Sequence, residues 1–203
     1  MAPPLIGVTG LQGAYREHIR ALESLGADVR VVRLAEDLEN LDGLVIPGGE
    51  STTMWMLMDR MHLLEPLREA LGKGLPTLGT CAGMILLAER VTDAMDGQRG
   101  LEVMDIGVRR NAYGSQAESF EAEIDLDLDL DGEPEPFPGV FIRAPILDDP
   151  GTAQVIATHN GKPVGVRQGN FIALAFHPEL SGDLRVHEEF LRIVEAYRKK
   201  RHG

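Results

Sequence analysis

The chain has 203 residues, of which 43% are hydrophobic and 26% charged, with a net charge of −12. That length suits one α/β domain spanning 1–203 and buries about 70% of its unfolded surface, while the acidic balance speaks against nucleic acid as a general partner. Cys81 is the single cysteine, so no internal disulfide can form, which fits a reducing cytoplasm. Met1-Ala2-Pro3-Pro4 lacks the basic start of a signal peptide, and no apolar run is long enough for a membrane span.

In chain order, Leu5 to Thr9 reads as a strand, Gly13 to Leu25 as an amphipathic helix, and Asp28 to Val32 as a second strand. Leu41 to Ile46 is a third, followed by helices near Thr53 to Met61 and Leu64 to Leu71, with Ser51 or Thr52 as N-cap. Gly74 to Leu78 is a short buried strand, and Met84 to Arg90 a strong helix former. This alternation predicts an α/β fold, a mostly parallel sheet flanked by helices on both faces. From about Leu101 to Gln168 short strands and turns predict an antiparallel extension. Within it, Asp125 to Asp131 alternates with period two and reads as a strand with a solvated acidic face rather than a metal site, since same-face aspartates have no other ligand type beside them. Phe171 to Phe176 is an apolar strand, and Asp183 to Lys200 a closing helix.

Three turns at predicted strand ends carry chemistry. Gly79-Thr80-Cys81-Ala82-Gly83 places a nucleophile between two glycines on a strand-to-helix turn, the sulfur counterpart of the Gly-x-Ser-x-Gly elbow. Small neighbours leave such a sulfur exposed, and the following helix favours the thiolate. A buried, inert cysteine is the alternative for this residue alone. His177-Pro178-Glu179 supplies a base and an orienting group: in an extended segment residues i and i+2 point the same way, so Glu179 reaches His177. Pro47-Gly48-Gly49-Glu50 presents unobstructed backbone N–H groups, as an oxyanion hole requires, although glycine-rich turns also serve as plain links. Strand ends of this kind are where an open α/β sheet places its site.

These segments resemble the class I glutamine amidotransferases, a flavodoxin-like fold. More narrowly, the chain resembles the glutaminase-subunit subfamily of pyridoxal 5′-phosphate synthases. The matching runs are Leu11-Gln12-Gly13-Ala14, Pro47 to Thr53, Gly79 to Gly83, Arg110-Asn111-Ala112-Tyr113-Gly114, Val140 to Pro145 and Phe176 to Leu180. The resemblance implies hydrolysis of L-glutamine to L-glutamate and ammonia by a Cys81, His177, Glu179 triad, in a cytoplasmic enzyme. It implies an oxyanion hole from Gly49 and Ala82, and glutamine binding by Gly48, Gly49, Glu50, Arg110, Ile142 and Arg143. It implies a (β/α)₈-barrel synthase subunit as the partner that receives ammonia, with no cofactor on this chain. Rival readings are another class I glutaminase subunit, a non-glutaminase of the same fold, and an inactive binding subunit.

Other residues take ordinary readings. Met54, Met56, Met58 and Met61, with Trp55, cannot all face inward from one helix, so part of that surface should be exposed. His18, His62, His159, His187 and His202 lack metal-like spacing and read as structural or solvated. Asn160-Gly161 and Asp131-Gly132 are turn signals.

Overall fold

The computed structural model describes residues 2–94, 97, 99–110 and 119–202. Its frame is a nine-stranded sheet in the order β2-β1-β3-β4-β12-β11-β10-β7-β8. The first five are β1 (Leu5–Thr9), β2 (Asp28–Val32), β3 (Gly43–Ile46), β4 (Thr77–Thr80) and β12 (Phe171–Leu174), all mutually parallel. The antiparallel extension continues the same sheet through β11 (Lys162–Gln168), β10 (Gln154–His159), β7 (Ser119–Leu126) and β8 (Glu135–Ile142). A separate three-stranded sheet joins β5 (Ala88–Thr92), β6 (Met104–Arg109) and β9 (Ile146–Asp149).

Burial on both faces follows from the strand sequences. In β3, Leu44 and Ile46 join the core that holds Met54, Met58, Leu67, Leu71 and Leu86. Those side chains come from α2 (Ser51–Arg60), α3 (Leu64–Gly72) and α4 (Ala82–Leu87). Val45 points the other way, into a second core with Leu22 of α1 (Tyr15–Ser24) and Phe190 and Val194 of α5 (Arg185–His202). Alternation with both faces apolar is what helices on both sides of a parallel sheet demand. Among the described residues, no helix is long and apolar enough to cross a membrane.

Four local expectations are corrected. The helix expected over Met84 to Arg90 ends at Leu87, because the N–H groups of Leu101 and Val103 take the Leu86 and Leu87 carbonyls and the chain continues as β5. The strand expected over Gly74 to Leu78 begins at Thr77 instead; Gly74, at φ +83°, closes α3 by donating to Leu71 O. The alternating acidic run does not stay a strand: β7 stops at Leu126, where the Asp127 carboxylate accepts the N–H groups of Asp131 and Gly132. The N-cap of α2 is Glu50, whose carboxylate accepts from Thr52 N and Thr53 N, rather than Ser51 or Thr52. Helix α2 does divide its methionines, with Met54 and Met58 fully buried and Met56 half exposed.

Candidate active site

Strands β3, β4 and β12 are neighbours, and all three end at the same edge of the sheet. Thr80 pairs with Leu174, so the residues that follow emerge side by side. Cys81 N–H donates to Leu174 O at 2.7 Å, and His177 N–H donates to Val140 O at 2.8 Å, which ties both turns to the sheet.

The turn at Cys81 is sharp. Cys81 has φ +50° and ψ −103°, a conformation that L-residues adopt only when their surroundings enforce it. The flanking glycines show what enforces it. A Cβ on Gly83 would lie 2.0 Å from Ile46 O, and one on Gly79 would lie 2.5 Å from Leu87 Cδ1. Only glycine lets the elbow sit this close to β3 and α4. The sulfur is enclosed, contrary to the exposed elbow expected from sequence: Cys81 is 5% exposed, with the Ile142 carbonyl 3.7 Å from Sγ.

His177 lies on the other side. Its Nδ1 is 2.7 Å from Glu179 Oε1, while Nε2 is buried with no hydrogen-bond partner among the described residues. Pro178 to Leu180 is a 3₁₀ turn capped by His177, so Glu179 reaches the ring by curling back rather than along the extended segment expected. Burial opposes a charge on His177, but the nearby Cys81 sulfur and the hydrogen-bonded, negatively charged Glu179 push its pKa up to about 10. Glu179 is held below the ordinary carboxylate range: burial works against the charge, and His18 and His177 outweigh it.

The glycine loop after β3 closes over this pair. A Cβ on Gly48 would stand 2.3 Å from His177 Cε1, and a Cβ on Gly13 would stand 1.7 Å from Gly48 O. The loop is therefore wedged between the imidazole and the turn after β1. Gln12 completes the clamp by accepting Glu50 N–H on Oε1 at 2.9 Å. Glu50 in turn meets Arg110, whose Nη2 lies 3.3 Å from Glu50 Oε1 and donates to Thr52 Oγ1 at 2.6 Å. Burial tends to raise the Glu50 pKa, yet hydrogen bonds from Thr53 and Thr52 bring it below its ordinary value. Arg143 follows Ile142 on an exposed, left-handed residue with φ +45°.

The structure thus brings Cys81, His177, Glu179, Gly48 and Ile142 together, with Ala82 opening α4 beside the sulfur and Gly49 next along the loop. Of the Arg110 to Gly114 run, Asn111 to Gly114 lie outside the described residues. Sequence reasoning missed what stands behind the triad. His18 and His187 are fully buried, with His18 Nδ1 2.9 Å from His187 Nε2. His18 Nε2 lies 3.2 Å from Thr80 Oγ1 and 3.2 Å from Glu179 Oε2. The usable signal was helical spacing, since His18 shares the buried face of α1 with Ala21 and Leu22. Among the described residues, no group of three or more His, Cys, Asp or Glu side chains is arranged to hold a metal ion.

The chain is similar to known proteins along nearly its whole length. Residues 8–196 match the model of the SNO glutamine amidotransferase family. A protein of Corynebacterium jeikeium named pyridoxal 5′-phosphate synthase subunit PdxT is 52% identical over 193 residues, covering 94% of this chain and 97% of the relative. A protein of the same name from Bacillus cytotoxicus is 49% identical over 197 residues, covering 97% of each. A crystal structure of a glutamine amidotransferase superimposes with a TM-score of 0.85 at 42% identity, over 94% of this chain and 98% of that one. PurLQS from Thermotoga maritima, at 17% identity and a TM-score of 0.72, over 95% of this chain and 99% of that one, shares the fold. The chain belongs to the SNO glutamine amidotransferase family.

Proposed function

We propose that this chain hydrolyses L-glutamine to L-glutamate and ammonia, as the glutaminase subunit of a pyridoxal 5′-phosphate synthase. The observation that carries the reading is the pairing of an enclosed Cys81 with a histidine whose Nδ1 is fixed by Glu179 at 2.7 Å.

In this reading the Cys81 thiolate attacks the side-chain amide carbon of glutamine. The carbonyl C=O π electrons move onto oxygen, and the oxyanion is received by the N–H groups of Gly49 and Ala82. His177, charged at neutral pH through its raised pKa, gives its Nε2 proton to the departing ammonia, leaving a γ-glutamyl thioester. The sulfur is then no longer anionic, so the part of the His177 shift due to Cys81 disappears and the ring becomes a usable base. It takes a proton from water, which attacks the thioester and releases glutamate. Glu179 orients the ring and balances its charge throughout without accepting the proton.

Gly48, Gly49, Glu50, Arg110, Ile142 and Arg143 are the residues we assign to glutamine. A zwitterion needs a cation for its α-carboxylate and acceptors for its α-ammonium, and the exposed Arg143 beside the Ile142 carbonyl supplies one of each. We read residues 1–203 as one cytoplasmic glutaminase domain. Its ammonia passes to a synthase subunit, a partner supported by the names of the relatives; that this subunit is a (β/α)₈ barrel rests on the family resemblance alone. The test is ammonia release from glutamine by the chain alone and with that subunit. Turnover that rises with the partner and vanishes in Cys81→Ala supports the proposal; turnover that survives Cys81→Ala overturns it.

A further inference from the structure

Glu179 has two oxygens, and the triad uses one. Oε1 takes His177 Nδ1; Oε2 belongs to a side chain with no exposure at all. A buried carboxylate oxygen without a donor is costly and leaves the carboxylate free to turn or to take up a proton. The group nearest Oε2 is His18 Nε2, at 3.2 Å, a close contact that is not aligned as a hydrogen bond; no other donor among the described residues satisfies Oε2.

The protons on the histidines follow from this. An ionised carboxylate can only accept, so the nitrogen that faces it carries hydrogen. His18 is then protonated on Nε2, with the N–H between Glu179 Oε2 and the aligned Thr80 Oγ1. Its Nδ1 must accept, and the group 2.9 Å away is His187 Nε2, which therefore donates. That leaves His187 Nδ1 bare, and it is the atom found buried without a partner. One carboxylate fixes the tautomers of two histidines in series.

We propose that His18 is a positioning residue of the active site: it holds the second oxygen of Glu179, with its own tautomer set by His187, so that Oε1 stays on His177. The proposal rests on the triad reading above and extends it by two residues drawn from α1 and α5. Both rings are neutral near pH 7. Burial lowers the pKa of each, outweighing Glu179 and Glu17 at His18 and Glu179 at His187. The titratable groups facing His18 are Glu179 and His177 from the catalytic turn, His187 from α5 and Glu17 on its own helix. A neutral donor suits the role: a charged His18 would compete with His177 for the single negative charge of Glu179.

The experiment measures glutamine hydrolysis across pH by the full chain assembled with its synthase subunit, in His18→Leu, His18→Gln, Glu179→Gln and the double variant His18→Leu/Glu179→Gln. His18→Leu should lower kcat about tenfold or more with KM changed less than about twofold, as for a group acting only through the transition state. Its acid limb should move to higher pH, since Glu179 loses a partner that favours the anion. His18→Gln, with an N–H near the Nε2 position, should recover most of the rate. The double variant should be no slower than Glu179→Gln alone, because the two residues act as one unit. If His18→Leu does not fold, His18→Asn, whose amide falls short of Oε2, takes its place against His18→Gln. Independent, multiplying losses, or a lower melting temperature with unchanged kcat and pH profile, overturn the proposal. An unaffected kcat in Glu179→Gln overturns the triad reading and this proposal together, whereas a slow Glu179→Gln beside a normal His18→Leu overturns this proposal alone.

Discussion

The imidazole of His177 rests against the α-carbon of Gly48, so closely that a methyl group there would lie 2.3 Å from Cε1. The glycine loop and the His177 ring are thus packed as one object. Gly48→Ala should displace the ring from its place beside Cys81. We expect glutamine hydrolysis to fall by about a hundredfold or more, with stability reduced by about 1–3 kcal/mol from overpacking. Steady-state kinetics and thermal melting of the variant check this; a full rate would mean that the ring position does not matter.

The strain at Cys81 makes a second expectation. Cys81→Gly and Cys81→Ala both lose the sulfur and both should be inactive. Only glycine is at ease at φ +50° and ψ −103°. Cys81→Gly should therefore be more stable than Cys81→Ala by about 1 kcal/mol, a melting difference of about 2–4 °C for a chain of this size. Equal melting temperatures would show that the elbow relaxes once the sulfur is gone.

Substrate binding separates from chemistry at the arginines. Arg143→Ala removes an exposed side chain and should raise KM for glutamine by a contact worth about 1.5–3 kcal/mol, with little change in stability. Arg110→Ala should raise KM and also loosen the start of α2, since Arg110 holds Thr52 and Glu50. Titrating each variant with glutamine and with an analogue lacking the α-carboxylate decides the role. Equal losses for both substrates would argue against a carboxylate clamp.

Acid should weaken the fold through the buried histidines. Burial first, then His18, pushes the His187 pKa down to about 3, against 6.5 for an ordinary histidine. The unfolded chain takes up a proton that the folded chain refuses. The contribution of His187 is thus fully present above about pH 6.5 and is lost as pH falls toward 3, at about 1.4 kcal/mol per pH unit. His18 acts in the same direction. Urea unfolding at pH 7 and pH 5 should show this slope, and His187→Gln should flatten it by one proton's worth. An unchanged slope in that variant would contradict the assignment.

The parallel half of the sheet was readable from the apolar runs of Leu5–Thr9, Gly43–Ile46 and Phe171–Leu174 and from the valines of Asp28–Val32. Leu5–Thr9 and Asp28–Val32 fall where expected, and Cys81, His177 and Gly48 were each legible as a turn after such a run. What it hid depends on distant contacts. Helix α4 is cut short by N–H groups fifteen and sixteen residues further on that take its last carbonyls, and β7 ends on a side-chain turn made by Asp127. The contact from Glu179 to His177 was foreseen, but by the wrong backbone path. His18 and His187 are 169 residues apart, and neither carries a spacing signal linking it to Glu179; only the packing of α1 and α5 on one face of the sheet brings them together.

In the proposed reaction Cys81 forms a covalent bond with the side-chain carbonyl carbon of glutamine. The direct measurement is mass spectrometry of the chain, with its synthase subunit present, after exposure to a glutamine analogue carrying an electrophile at that carbon. One adduct per chain is expected, located on Cys81, slowed by added L-glutamine and lost in His177→Asn, where no base remains to ready the sulfur. An adduct on another residue, or none on Cys81 while glutamine is still hydrolysed, would contradict it.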